Sequence, residues 1–184
     1  MEQLNPRARS DRYGSRINRT QSPWRALAVP YASIAFASFA PTLLLADLMP
    51  LVPPLGFMML LGWRIMRPGL LPVWVGAPLG AFDDLLSGQP FGSAILMWSL
   101  AMIGLEMLEA RFPWRGFWQD WFTAALAIVI YLLATAAVSG ATLATPLLMA
   151  MVPQALLAIL LYPFIARVVA GLDRFRLTRT RRLA

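Results

Sequence analysis

The sequence predicts an all-α integral membrane protein, a bundle of six transmembrane helices with both termini on the cytoplasmic side. Of its 184 residues, 59% are hydrophobic and only 14% are charged, whereas about 25% of the residues of a soluble domain are charged. The mean hydropathy is +0.62. The charged residues stand in small groups between long uncharged stretches, which is typical of a chain that lies mostly in a lipid bilayer.

The uncharged stretches set the number and order of the predicted helices. A span needs about 20 apolar residues, and the stretch from Trp121 to Ala166 is long enough for two. We expect it to fold back at VSGATLATP, Val138 to Pro146, because small, polar and breaker residues accumulate there. The predicted helices cover residues 26–46, 48–65, 68–86, 90–109, 119–138 and 146–167.

The second and third predicted helices are short. Their uncharged runs reach span length only if Arg64 and Arg67 extend their side chains to the membrane interface, and only if helix continues past Phe82. We therefore expect both arginines to lie at the interface.

The arginines predict the orientation of the bundle. All sixteen basic residues are Arg, and they form four clusters: six before Ala26, the pair Arg64 and Arg67, the pair Arg111 and Arg115, and six from Arg167 to Arg182. In a six-span chain all four clusters fall on one side, which the positive-inside rule assigns to the cytoplasm. The outside loops near residues 47, 88 and 140 contain no basic residue.

The two ends of the chain are polar and rich in arginine. We expect residues 1–24 to be a disordered cytoplasmic arm, residues 25–170 the six-helix transmembrane domain, and residues 171–184 a basic cytoplasmic tail. Arginines beside a membrane contact anionic lipid at about 1 kcal/mol each. We therefore interpret the pI of 11.2 as lipid contact and predict no nucleic-acid partner.

The residue types that are missing exclude several kinds of chemistry. The sequence contains no Cys, no His and no Lys. It therefore has no thiol nucleophile, imidazole base or Schiff-base amine, and no Cys or His ligand for a soft or borderline metal. We predict no cofactor, no metal and no enzymatic activity.

Most of the acidic residues have structural interpretations. Glu106 and Glu109 share one helix face, and we expect Arg111 and Arg115 to pair with them. Asp120 and Asp173 lie within or beside cytoplasmic arginine clusters, and Asp47 marks an outside turn.

The adjacent pair Asp83 and Asp84 needs a separate explanation. Consecutive helical side chains point about 100° apart, so the pair does not converge on one metal ion, and carboxylate catalysis is disfavoured. Asp84 is expected about 24 Å along a helix that begins near Pro68, without a cationic partner in its own chain. It is capped by the N–H groups of Ser87 and Gly88, or protonated, or bound by a partner or ligand. We expect Asp83→Asn to be tolerated.

A four-residue spacing of small residues surrounds Asp84. Gly76, Gly80 and Asp84 follow one another at i+4 along one face of the third helix, and Gly88 and Gly92 continue the spacing. Small residues at this spacing allow helix backbones to approach closely in lipid. These three positions, which we call the stripe, thus predict a close helix contact with an acidic side chain, Asp84, at its end.

The segment GAPLGAFDDLLSGQPFG, residues 76–92, fits the pattern GxxxGxxxDLxSGxxxG and resembles the rod shape-determining protein MreD family. The likeness in length and span order extends from about Trp24 to Arg174. Asp84, not Asp83, matches the family aspartate. The motif residues, interpreted as a partner site or helix-break site, are Gly76, Gly80, Asp84, Leu85, Ser87, Gly88 and Gly92.

The resemblance implies a function. It implies a non-catalytic scaffold of the cell-elongation machinery in the bacterial inner membrane, associated with an MreC-like protein and the peptidoglycan polymerase and transpeptidase. It also implies a fold similar to the substrate-binding subunit of energy-coupling-factor vitamin transporters. The alternative function is therefore a small-molecule-binding subunit of a membrane transporter.

Overall fold

The structure, a computed structural model, describes residues 23–44, 52–88, 90–112, 116–138 and 145–177. These ranges contain α-helices, one 3-10 turn and connecting segments, and no β-strand. The predicted all-α class is confirmed. The helices are α1 (Pro23–Leu44), α2 (Leu55–Met66), α3 (Gly76–Ser87), α4 (Ser93–Arg111), α5 (Phe117–Val138) and α6 (Thr145–Arg176).

Three helical segments within the described ranges are long and apolar enough to cross a membrane. They are Ser93–Arg111, Phe117–Val138 and Met151–Arg176. Their length and composition indicate a membrane protein.

The predicted bounds of the second and third helices are wrong. Both α2 and α3 have 12 residues, about 18 Å of helix, which is less than the roughly 30 Å of a bilayer core. Pro53 and Pro54 directly precede α2. The connection to α3 contains Gly69 at φ +80° and an extended Pro72, so helix cannot start at residue 68.

The 3-10 turn Val73–Val75 leads into α3 at Gly76. Asp84 consequently lies about 12 Å from the start of its helix, half of the predicted distance.

Helix α2 is the centre of the bundle. Every residue from Gly56 to Ile65 is buried, and α2 contacts α1, α4, α5 and α6. The Phe57 ring stacks on Tyr131 with 4.4 Å between ring centroids, and it lies 6.0 Å from the ring of Trp98. A helix surrounded on all sides must be apolar on all sides, which explains why α2 shows hardly any polar face.

Arg64 of α2 is an exception within that apolar helix. The prediction that it extends to the interface is wrong, because Arg64 is fully buried and pairs with Glu106 and Glu109 of α4. The Arg64 to Glu109 distance is 2.9 Å. A buried charge needs such partners, since an unpaired charge in the bundle is costly. The expected contacts of Arg115 lie outside the described residues.

A second group of ion pairs lies near the C-terminal ends of α2 and α6, at the same end of the bundle as Arg64. Asp173 accepts from Arg67 Nε at 2.9 Å and from Arg176 Nε at 2.7 Å, so the expected position of Asp173 beside arginines is confirmed. Arg176 also donates to the carbonyl of Ala26 and lies over the ring of Trp63.

These two groups bring together the start of α1, the ends of α2 and α4, and the end of α6. We call this the arginine end. Helix α6 continues to Arg176, so the first residues of the predicted tail 171–184 are helical and contribute to it.

Candidate functional site

The motif Gly76–Gly92 forms a helical hairpin, α3 followed by a short turn and α4. Gly88, with φ +66°, ends α3, and Gly92, with φ +101°, directly precedes the first residue of α4. Residues with a side chain rarely adopt these positive φ values, so both turns require glycine. The hairpin places the face of α3 that carries the stripe against α4.

The two glycines of the stripe allow the helix backbones to approach closely. A Cβ atom on Gly80 would lie 2.6 Å from the carbonyl oxygen of Ala94, and one on Gly76 would lie 2.9 Å from the carbonyl oxygen of Trp98. No side chain fits at such distances from backbone atoms. The structure thus contains the close approach that the four-residue spacing predicts.

Asp84, the third member of the stripe, caps the N-terminus of α4. Its Oδ2 accepts from Gly92 N at 2.9 Å and from Ile95 N at 3.2 Å. Its Oδ1 accepts from Ala94 N at 2.9 Å and from the Ser93 hydroxyl at 3.1 Å. Each carboxylate oxygen therefore receives two hydrogen bonds.

This cap replaces an N-cap side chain that α4 does not have. The N-cap residue is Gly92, which cannot accept the N–H groups of the first turn. Ser93 and Ala94 are buried, and unpaired N–H groups in a buried helix end are unfavourable. Asp84 supplies the acceptors from the neighbouring helix, and its negative charge lies at the positive end of the α4 dipole.

The capping donors differ from the predicted ones. We expected Ser87 and Gly88, whereas the donors are Gly92, Ser93, Ala94 and Ile95. Capping is one of the three explanations that the sequence left open. The sequence signal for these donors is the Gly-Ser pair at residues 92–93 before an apolar run, which is typical of a helix start.

The remaining motif residues have different surroundings. The Leu85 side chain is 72% exposed and points away from the bundle core. The Ser87 hydroxyl is buried and has no hydrogen-bond partner among the described residues. These two residues do not take part in the cap.

Asp83 lies on another face of α3, and the sequence predicted of it only that Asp83→Asn would be tolerated. It is only 9% exposed and lines a cavity of about 120 Å³ together with Ser38, Gly56 and Ser87. No sequence pattern joins these residues, because they come from three separate segments.

The contacts of the motif are structural, and the described motif residues form no arrangement typical of a catalytic or metal site. The described residues contain no group of three or more His, Cys, Asp or Glu side chains that could hold a metal. Both oxygens of Asp84 are occupied by α4. The chain is an all-helical protein with membrane-type helices, in which the motif fixes one helix against the next.

Comparisons with known proteins add no family to this description. No protein-family model, curated protein or solved structure matches the chain.

Because the helix backbones approach closely at Gly80, we expect a single added methyl group at this position to destabilise the protein. Gly80→Ala places a Cβ against the backbone of Ala94 and forces α3 and α4 apart. We therefore expect the free energy of unfolding to fall by about 1–3 kcal/mol, the usual effect of overpacking. The measurement is the thermal unfolding temperature of the purified protein in detergent.

Gly104→Ala is the matched control for this prediction. Gly104 also lies within a helix, but a Cβ there meets open space, so this variant should be at least as stable as the wild type because Ala favours helix over Gly by about 1 kcal/mol. Equal stability of the two variants would contradict the close packing at Gly80.

Proposed function

We propose that this chain is a non-catalytic scaffold of the bacterial cell-elongation complex, located in the inner membrane and similar to the MreD family. In this proposal it binds an MreC-like protein and the peptidoglycan polymerase and transpeptidase, and its loss abolishes rod shape. The motif of residues 76–92 suggests the family. The geometry of the same motif supports a structural role.

The observation that carries the proposal is the saturated carboxylate of Asp84. A catalytic carboxylate needs a free oxygen that can reach a substrate, whereas both Asp84 oxygens accept two hydrogen bonds each from the start of α4. The small residues of the motif likewise hold two helices together. A rigid body of this kind suits a protein that acts by positioning its partners.

The surface of the hairpin offers apolar contacts to such partners. Leu85 and Phe91, on either side of the turn, and Trp74, before α3, are largely exposed. Exposed apolar side chains are expected wherever a helix meets lipid or another membrane protein. The proposal assigns part of this surface to the partners and the rest to lipid.

We further propose that the chain crosses the membrane six times with both termini in the cytoplasm, and that α2 and α3, which are shorter than the bilayer core, cross together with the non-helical segments next to them. At the arginine end, ion pairs and hydrogen bonds join parts of α1, α2, α4 and α6 at one end of the bundle. This arrangement fits the prediction that the arginine clusters lie on one side of the membrane. The described residues of the turn between α3 and α4 carry no basic side chain. In this arrangement the exposed arginines of the clusters contact anionic lipid headgroups, whereas Arg64 and Arg176 are buried in ion pairs.

The proposed topology can be tested with reporter fusions. Fusions after residues 20, 66, 115 and 175 should report a cytoplasmic location, and fusions after residues 88 and 143 should report a periplasmic one. The reason is that translocating an arginine cluster is disfavoured. A periplasmic signal from any of the four arginine clusters would contradict the six-span topology.

The scaffold function predicts a specific association in the host bacterium. When a tagged chain is expressed at its native level, we expect an MreC-like protein and the cell-wall synthase to co-purify with it. Depletion of the chain should convert rods to spheres, and the tagged chain should restore them. The purified chain alone should leave lipid-linked cell-wall precursors unchanged.

Two results would contradict this proposal. Turnover of lipid-linked precursors by the purified chain would indicate an enzyme. Stable co-purification with a pair of ATPase subunits, with rod shape unaffected by depletion, would favour the alternative of a transporter's binding subunit.

A further inference from the structure

A polar cavity lies beside Asp83, on the side of α3 that does not contact α4. It has a volume of about 120 Å³ and is lined by α1, the start of α2, α3, α5 and α6. Residues 52–56 form one of its walls. The polar side chains that line it are Ser38, Thr42, Asp83, Ser87, Tyr131 and Gln154.

The cavity contains one carboxylate and no balancing positive charge. Asp83 is 9% exposed, and no arginine within the described ranges forms an ion pair with it. The Ser38 hydroxyl lines the same cavity as the Asp83 carboxylate, and Gly56 lies against both. A buried ionised carboxylate with only a hydroxyl neighbour is unfavourable, and either a proton or a bound cation compensates its charge.

The side-chain groups that remain open toward the cavity are oxygens. The Ser87 hydroxyl is buried without a hydrogen-bond partner among the described residues. Gln154 uses its amide nitrogen to donate to the carbonyl of Val52 at 2.8 Å, and Thr42 donates to the carbonyl of Phe39. The Ser38 hydroxyl is likewise buried without a hydrogen-bond partner among the described residues, so its lone pairs are available to a ligand.

Gly56 keeps the space next to these oxygens open. A Cβ at residue 56 would lie 3.0 Å from Asp83 Oδ1 and closer still to the Ser38 hydroxyl. Any other residue at this position would fill the gap between the two side chains. The cavity is thus built by the close packing of the first turn of α2 against α1 and α3.

We propose that this cavity binds one small monovalent cation, either an alkali metal ion such as Na⁺ or an ammonium group, through Asp83, Ser38 and Ser87. Hard cations prefer oxygen ligands, and an ammonium donates to the same oxygens. A single charge neutralises the single carboxylate, whereas a divalent ion would leave one positive charge uncompensated in a buried site. A volume of about 120 Å³ accommodates a partly hydrated ion or a small amine.

The cation site does not depend on the proposed scaffold function. It rests on the burial of Asp83, on the open hydroxyl of Ser87 and on the cavity between them. A protein that holds membrane partners and a protein that binds a transported molecule both accommodate it.

The test is a cation titration of the purified full-length chain in non-ionic detergent, monitored by thermal unfolding. Ionic strength is held constant with N-methyl-D-glucamine chloride, whose cation is too large for the cavity, and this salt is replaced stepwise by NaCl, KCl, NH₄Cl or CaCl₂. Because a ligand that binds only the folded state raises the unfolding temperature with its concentration, we expect a saturable rise with a monovalent cation. The salt that acts at the lowest concentration identifies the source, alkali ion or ammonium.

Three variants locate the effect. Asp83→Asn should raise the half-saturating concentration of the cation at least tenfold, and Ser87→Ala should raise it severalfold. Ser99→Ala is the matched control, because the Ser99 hydroxyl bonds within its own helix to the carbonyl of Ile95, and it should titrate like the wild type.

Several outcomes would overturn the proposal. A wild-type protein without a saturable monovalent effect has no such site, and this result stands even if Asp83→Asn fails to fold. If Asp83→Asn has the same half-saturating cation concentration as the wild type, the cation binds elsewhere. If Asp83→Asn cannot be purified, the same result for Ser87→Ala leads to the same conclusion. A stronger effect of CaCl₂ than of every monovalent salt would contradict the charge assignment.

Discussion

The fold depends on how the buried start of α4 obtains hydrogen-bond acceptors. In water the first N–H groups of a helix bond to solvent, but Ser93 and Ala94 at the start of α4 are buried, and the N-cap residue is a glycine without a side chain. The Asp84 carboxylate accepts all three available N–H groups and one hydroxyl. It reaches them only because Gly76 and Gly80 let α3 lie against α4. The spacing of Gly76 and Gly80 and the position of Asp84 therefore act together, because the close helix approach brings the carboxylate to the start of α4.

The opposite end of the bundle is held by charges of both signs. Helix α2 is too short to cross a bilayer by its own helical length, yet it is central and carries Arg64 into the interior. Its charge is balanced by Glu106 and Glu109 of α4. The same helix α4 is thus capped by a carboxylate at its start and bound by an arginine near its end. These two polar contacts fix α4 relative to α2 and α3.

The sequence predicted the features that depend on local spacing and missed those that depend on long-range contacts. The all-α class follows from composition, and the close approach of α3 follows from the i+4 spacing of Gly76 and Gly80. The shortness of α2 and α3 was missed because length was counted by uncharged residues, although Pro53 and Pro54 precede α2 and the extended Pro72 precedes α3. The pairing of Arg64 with Glu106 joins residues 42 positions apart, and the cavity at Asp83 joins three segments. Neither leaves a pattern in a single sequence.

The most direct test of the central claim is amide hydrogen exchange at Ala94 and Ile95 in Asp84→Ala, Asp84→Asn and the exposed-site control Leu85→Ala. If Asp84 is the cap of α4, exchange in Asp84→Ala should be about tenfold faster than in the wild type. That factor corresponds to about 1.4 kcal/mol, within the range of about 0.5–2 kcal/mol for a lost cap. Asp84→Asn should be intermediate, because its single oxygen accepts from only two of the four donors. Exchange in Asp84→Ala as slow as in Leu85→Ala and the wild type would contradict the claim.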